Sequence, residues 1–112
     1  MMQAAVLGLV PALIIAPLAA APTLKGTVGP DFTITLTKGG SAVHTLPAGR
    51  YRIKVTDKSD EHNFHLKGPG VNKKTSVSGK GTVTWKVTVK KGKYTFVCDA
   101  HPEMMRGHFT VK

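Results

Sequence analysis

Along residues 27 to 112, apolar and polar side chains alternate with a period of two. Such alternation is typical of strands that bury one face of a sheet and expose the other. Turns rich in glycine and proline separate the runs, and no stretch after residue 22 has a helical period. The pattern predicts an all-β fold, a mainly antiparallel β-sandwich or small barrel. The predicted inward-facing positions are Phe32, Ile34, Leu36, Tyr51, Ile53, Val55, Val83, Trp85, Val87, Val89, Tyr94, Phe96, Cys98, Phe109 and Val111.

The first 22 residues differ from the rest because they carry no charge, whereas all 16 Lys and Arg and all 6 Asp and Glu follow them. Ala4 to Leu18 is an apolar run about as long as that of a signal peptide, and small residues follow it. The alternative is an uncleaved hydrophobic anchor, because no Lys or Arg precedes the run. A transmembrane helix is the weaker interpretation, since the run is short and contains two prolines.

These features divide the chain into two parts. We expect residues 1–22 to form a signal peptide or N-terminal hydrophobic anchor and residues 27–112 to form a single domain. The chain is therefore expected to be exported, and to be periplasmic, extracellular or associated with the cell surface. A lone cysteine in such an oxidising compartment needs a specific role, because it cannot form an internal disulfide.

That cysteine begins a group of metal-binding residue types near the C terminus. Cys98 ends an apolar strand, and His101 follows in a turn that contains proline, so both side chains can face one ion. Upstream, strand parity places His62 on the interior side with Phe64 and places His65 on the opposite side. A thiolate, two imidazoles and a thioether are the donors that suit copper as it cycles between two oxidation states. Zinc also accepts one Cys and two His, so it remains the alternative metal.

Two motifs together resemble the cupredoxins, the blue-copper electron carriers that include plastocyanin, amicyanin and azurin. The sequence YTFVCDAHPEMMRG at residues 94–107 resembles their C-terminal ligand loop, and HNFH at residues 62–65 resembles their upstream ligand strand. The resemblance covers about residues 27–112. It implies a Greek-key β-sandwich or barrel of the cupredoxin type and one type 1 copper ion per chain.

Carried over by position, the resemblance implies that His62, Cys98 and His101 are copper ligands together with one methionine. It also implies that Asn63 ties the two ligand segments together, and hydrogen bonds of this kind tune a metal site.

The methionine ligand has two candidates. Met104 lies three residues after His101 and Met105 lies four residues after it, and both spacings resemble those of family members. We predict Met105, because it directly precedes Arg106 and a glycine, as the family's methionine usually does. Met104 would then fill the core or lie on the surface near the copper.

The resemblance implies a type 1 copper protein that carries single electrons between redox partners, with His101 as the exit for the electron. The alternative is a copper carrier or storage protein with the same ligands and no role in electron transfer. We do not expect an enzyme, because multicopper oxidases and nitrite reductases need more histidines and domains than this chain has. We expect His65 to support the site or lie on the surface, His44 and His108 to face solvent, and Trp85 to lie in the core or an interface.

The net charge of +10 bears on partners. Lysines at positions 73, 74, 80, 86, 90, 91 and 93 either keep the protein soluble or steer it towards an acidic redox partner or an anionic cell surface. We expect a redox partner with an acidic docking surface, and a monomer that meets a membrane only through an uncleaved N-terminal segment. Nucleic acid is not expected, because no nucleic-acid-binding motif is present.

Overall fold

A computed structural model describes residues 21–112, and these residues fold into ten strands and no α-helix. The predicted segment 1–22 lies outside the described residues, apart from Ala21 and Pro22. The strands are β1 (Thr23–Val28), β2 (Ile34–Lys38), β3 (Ser41–Ala42), β4 (Thr45–Leu46), β5 (Gly49–Asp57), β6 (His65–Gly68), β7 (Val71–Lys74), β8 (Gly81–Val89), β9 (Gly92–Val97) and β10 (Arg106–Val111). Within residues 21–112, no helix is long and apolar enough to cross a membrane.

The strands form two five-stranded sheets. The first sheet has the order β3-β2-β1-β5-β8, and the second has the order β4-β10-β9-β6-β7. The chain crosses between the sheets five times, after β3, β4, β5, β7 and β8. Most pairs are antiparallel, but β1 with β5 and β4 with β10 are parallel, so both sheets are mixed. The predicted all-β sandwich is confirmed.

Aromatic side chains fill the space between the sheets. The ring of Phe64 stacks on that of Phe96, with centroids 5.7 Å apart and planes 2° from parallel. Phe64 also contacts Trp85, which lies on the first sheet. A second stacked pair joins Tyr94 and Phe109 at 5.1 Å. Burial of such large apolar rings is the main stabilising contribution in a sandwich of this size.

The alternation pattern missed β1. Its inward positions are Leu24, Gly26 and Val28, all buried, and the glycine interrupts the apolar pattern. A Cβ atom on Gly26 would lie 2.9 Å from Cζ of Phe64. A glycine is needed here because the strand passes directly over the Phe64 ring.

Phe32 and Val83 depart from their predicted inward positions. Phe32 precedes β2 and is 52% exposed, because the turn after β1 turns it away from the core. Val83 lies in β8 but is 39% exposed, because it lines an open cleft between this edge strand and the loop after β7. The other predicted inward side chains are buried, except Ile34, which is partly buried against the core.

Gly26→Ala should destabilise the fold. The added methyl group would displace the buried ring of Phe64 and disturb its stack on Phe96. Overpacking of this kind costs about 1–3 kcal/mol. Urea denaturation of the copper-free protein would measure the loss.

Gly79→Ala is the matched control for this substitution. The nearest atom to its added Cβ is Cβ of Ser76 at 3.6 Å, an ordinary contact. We expect a change within about 0.5 kcal/mol, as for other surface substitutions. Equal losses in the two variants would show that the close approach of Gly26 to Phe64 is not what makes glycine necessary.

Candidate metal centre

His62 lies at the end of a loop that two local turns shape. The Asp57 carboxylate accepts a hydrogen bond from the backbone N–H of Ser59 at 3.0 Å, and the Ser59 hydroxyl accepts one from Glu61 at 3.0 Å. Burial raises the pKa of Asp57, and the hydrogen bond from Ser59 opposes this rise. The loop delivers the His62 side chain into the interior, where only 1% of it is exposed.

The second segment is a short loop between β9 and β10. Cys98 directly follows β9 and is fully buried. Its backbone N–H donates to the carbonyl of Met105 at 3.0 Å, which closes the loop at its base. Within the loop, the N–H of His101 donates to the carbonyl of Cys98, and the N–H of Met105 donates to the carbonyl of His101. These bonds curl the chain so that His101 returns over Cys98.

The two segments bring three donor atoms together. Nδ1 of His62 and Nδ1 of His101 lie 3.2 Å apart. Sγ of Cys98 lies 3.9 Å from Nδ1 of His62 and 3.7 Å from Nδ1 of His101. Among the described residues, this is the one group of His, Cys and acidic side chains arranged to hold a metal ion.

The triangle has a size that suits one ion. Its three donor atoms lie 3.2 to 3.9 Å apart. Donors about 2.0 to 2.3 Å from one shared ion are separated by distances of this order.

Two imidazoles and one thiolate are the three main protein ligands of type 1 copper, in which a thioether is the usual weak fourth ligand. The donor set and its geometry fit one type 1 copper ion per chain.

Asn63 connects the two ligand segments. Its side-chain oxygen accepts a hydrogen bond from the backbone N–H of Asp99 at 2.7 Å. Its side-chain nitrogen donates to the Asp99 carboxylate at 2.9 Å and to the carbonyl of Thr75 at 3.1 Å. Its backbone N–H points at Sγ of Cys98, 3.5 Å away. One residue thus holds the histidine segment against the cysteine segment and also supplies a dipole to the sulfur.

His65 lies outside the donor triangle and supports it through Asp99. Nδ1 of His65 donates to the Asp99 carboxylate at 2.8 Å, and Nε2 lies 2.6 Å from Oδ1 of Asn72 on β7. Burial raises the pKa of Asp99, but hydrogen bonds from His65 and Asn63 outweigh it, so this pKa lies below its usual value. Sequence reasoning did not single out Asp99, although its position directly after Cys98 was a usable signal.

The two candidate methionines have opposite environments. Met105 is fully buried, whereas Met104 is 64% exposed. The carbonyl of Met105 also closes the ligand loop against Cys98. Burial of Met105 and its backbone bond to Cys98 favour it over Met104 as the thioether ligand, which stays a prediction.

His101 is the donor residue nearest to solvent. It is partly buried, whereas His62 and Cys98 are buried. The exposed ring of Phe32 packs edge-on against both imidazoles, with centroids 5.4 Å from His62 and 5.0 Å from His101. Sequence reasoning missed this contact because it assigned Phe32 to the core.

The remaining predicted residues lie away from the donors. His44 and His108 are exposed, as expected, and Trp85 is buried against Phe64. Thr75 was not predicted. Its hydroxyl accepts a hydrogen bond from the N–H of Phe64 at 2.9 Å, so it fixes the strand that follows His62.

The sequence model of the cupredoxin-like domain matches residues 8–111 of this chain. The chain belongs to the cupredoxin-like family. No curated protein matches the chain.

Several solved structures share this fold. Rusticyanin from Thiobacillus ferrooxidans is 20% identical, with a TM-score of 0.57 over 80% of this chain and 76% of that chain. Auracyanin A, described as a blue copper protein from the green thermophilic photosynthetic bacterium Chloroflexus aurantiacus, is 17% identical, with a TM-score of 0.57 over 83% of this chain and 100% of that chain. A structure of a heme-copper terminal oxidase dimer is 20% identical, with a TM-score of 0.56 over 80% of this chain and 63% of that chain. At these identities the likeness shows the fold alone.

Asp99→Asn should destabilise the copper-free protein in a pH-dependent way. The pKa of Asp99 is lowered in the fold, so its carboxylate stabilises the fold above its usual pKa of 3.8. That stability is lost as the pH falls through the lowered pKa. The difference in unfolding free energy between wild type and variant should therefore be largest above about pH 5 and shrink below pH 3.8.

Glu103→Gln is the control, because it removes the same charge from an exposed position in the same loop. Urea denaturation at several pH values would measure both variants. A pH profile for the Asp99 variant that matches that of Glu103→Gln would contradict a specific role for the bonds to His65 and Asn63.

Proposed function

We propose that this protein is an exported type 1 copper protein that carries single electrons between redox partners. The observation that supports this most directly is the close grouping of two Nδ1 atoms and one Sγ atom, which lie 3.2 to 3.9 Å apart. In this proposal His62, Cys98 and His101 would hold the copper, and Met105 would add a weaker thioether ligand. Copper bound there would accept and release one electron.

The rigidity of the surroundings favours electron transfer over other uses of the site. The donor residues are held by a closed backbone loop and by the side chain of Asn63, which bonds both segments. Because this framework fixes the donor positions, little has to rearrange when the charge of the bound ion changes. A small rearrangement lowers the barrier to electron transfer.

The most direct route for the electron is the ring of His101. It is the donor side chain that reaches towards solvent, and the exposed side chains of Phe32 and Met104 lie in the same group of loops. An apolar surface around a partly exposed ligand allows a partner to approach closely without desolvating charges.

The proposal includes export and excludes catalysis. The uncharged residues 1–22 would direct the chain out of the cytoplasm as a signal peptide or hold it as an anchor. The proposal assigns no catalytic step to the chain, because one group of copper donors in a small domain suits electron transfer.

A redox partner with an acidic docking surface remains a prediction, and the charge distribution defines where it would dock. All six carboxylates of the chain lie at the metal end, in the loops between strands or, for Asp57, at the end of β5. Most lysines lie along the sheets instead. Acidic groups of a partner would therefore be attracted to lysines on the sides of the sandwich, while an uncharged part of the partner would contact the tip around His101.

Titration of the copper-free protein with Cu(II) should produce a blue protein with one equivalent bound. A strong visible charge-transfer band and the electron paramagnetic resonance spectrum of a type 1 site are the readouts. Cys98→Ser should abolish the band, because it removes the thiolate that supplies the charge transfer. His108→Ala, which changes an exposed histidine on β10, should leave the spectrum unchanged.

A protein that stays colourless with Cu(II) and binds only Cu(I) would contradict the proposal. That result would favour the alternative, a copper carrier or storage protein with the same ligands.

Met105→Leu should raise the reduction potential, because loss of the thioether weakens binding of Cu(II) more than binding of Cu(I). Each tenfold change in relative affinity corresponds to about 59 mV for a one-electron couple. Met104→Leu is the matched control and should leave the potential nearly unchanged, since that side chain is 64% exposed. Protein-film voltammetry would compare them. The reverse result would assign the axial position to Met104.

A further inference from the structure

The outer face of the first sheet carries a dense group of positive charges. Five basic side chains on three adjacent strands, β1, β5 and β8, point away from the core, as the alternation of buried and exposed positions shows. The remaining outward positions on these strands are mainly threonines. We call this surface the basic face, and its cations are Lys25, Arg50, Arg52, Lys54 and Lys86.

Like charges lie directly opposite each other on this face. Lys25 of β1 is the cross-strand partner of Lys54, and Arg52 is the partner of Lys86 on β8. Like charges at such positions destabilise a sheet. No carboxylate relieves the repulsion, because all six carboxylates lie in loops or at a strand end at the metal end of the molecule. A bound anionic surface would relieve it.

The second sheet differs in this respect. On its outer face Lys67 lies opposite Thr95 and Asn72, and Lys93 lies opposite Thr110. These lysines are exposed but have no cation as a direct partner. The opposition of like charges is therefore a property of the basic face and not of the whole surface.

The chemistry of the basic face limits what it can bind. Its two nearest large aromatics, Tyr51 and Trp85, point into the core and are 4% and 8% exposed. Without exposed aromatic rings, the face cannot stack bases as proteins that bind single-stranded nucleic acid do. It also lacks the buried aromatic anchors of most protein interfaces. Long cationic side chains among short hydroxyl side chains can bind a partner surface through its negative charge alone.

The chain that precedes the fold joins this same face. The carbonyl of Pro22 accepts a hydrogen bond from the backbone N–H of Arg52 at 2.9 Å. Residues 1–22 are uncharged and contain the apolar run from Ala4 to Leu18. An apolar segment that comes directly before the first strand of the basic face in the sequence matches a lipid bilayer with anionic headgroups better than a soluble polyanion.

We propose that the basic face docks on the surface of a bilayer that contains anionic phospholipids. Lys25, Lys54 and Lys86 lie against the phosphates of the headgroups and offset the repulsion within the sheet. Each basic residue near such a surface strengthens binding by about fivefold. This docking does not depend on copper, so it stands or falls separately from the proposed electron transfer.

Lysine footprinting on vesicles tests the proposal with the full chain, in copper-free and copper-loaded forms. Acetylation rates are read by mass spectrometry on vesicles of phosphatidylcholine alone and of phosphatidylcholine with phosphatidylglycerol. On the anionic vesicles, Lys25, Lys54 and Lys86 should react at least about fivefold more slowly, while Lys67 and Lys93 keep their rates. The protection should disappear in 0.5 M salt, at about which the screening length is a few ångströms.

Matched double variants separate the basic face from net charge. Lys54→Gln with Lys86→Gln should remove most of the protection of Lys25 on anionic vesicles. Lys67→Gln with Lys93→Gln removes the same charge from the other sheet and should leave Lys25 protected. Because Lys25 is the reporter in both, the comparison works even when residues 1–22 hold the chain on the vesicle.

Three results would overturn the proposal. The first is equal protection of lysines on both sheets, and the second is no protection on anionic vesicles. The third is protection of Lys25, Lys54 and Lys86 by a soluble polyanion such as dextran sulfate but not by anionic vesicles, which would assign the face to a polymer.

Discussion

The donor triangle depends on the hydrogen bonds of Asn63. His62 lies near the end of the loop between β5 and β6, whereas Cys98 begins the loop between β9 and β10. No covalent link joins the two residues. The Asn63 side chain bonds the backbone and the carboxylate of Asp99, while its own backbone points at the cysteine sulfur. Because Asn63 is only 1% exposed, leaving its side-chain amide unpaired would carry the desolvation cost of a buried polar group. The separation of the donor atoms therefore follows from amide geometry and not from the flexible side chains alone.

The core supports this arrangement from below. Phe64 follows Asn63 directly and stacks on Phe96, which lies two residues before Cys98. Two sets of contacts therefore hold the two donor segments in position relative to each other. Hydrogen bonds do so at the metal end, and the stacked rings of Phe64 and Phe96 do so below it. Gly26 lets β1 pass over the Phe64 ring, so the first sheet also packs against these segments.

Much of the site could be predicted because strand parity and short spacing are local properties. Parity placed His62 and Cys98 on the inner side, and three residues in a turn brought His101 back to Cys98. The pattern could not reveal contacts between distant segments. Phe32 was assigned to the core because an aromatic residue beside apolar ones fits a strand, whereas its ring lies on two histidines from elsewhere in the chain. The strand at Thr23–Val28 was missed because glycine has no side chain to register in an apolar pattern.

The gathering of all six carboxylates at one end gives the molecule a permanent dipole moment along its length. The metal end is the negative pole, and the lysine-rich body is the positive pole. An electron gained at the metal would deepen the negative pole, so the reduced form would be the more strongly polarised one. In the electric field of a charged surface or a partner, the two oxidation states would then differ in their preferred orientation.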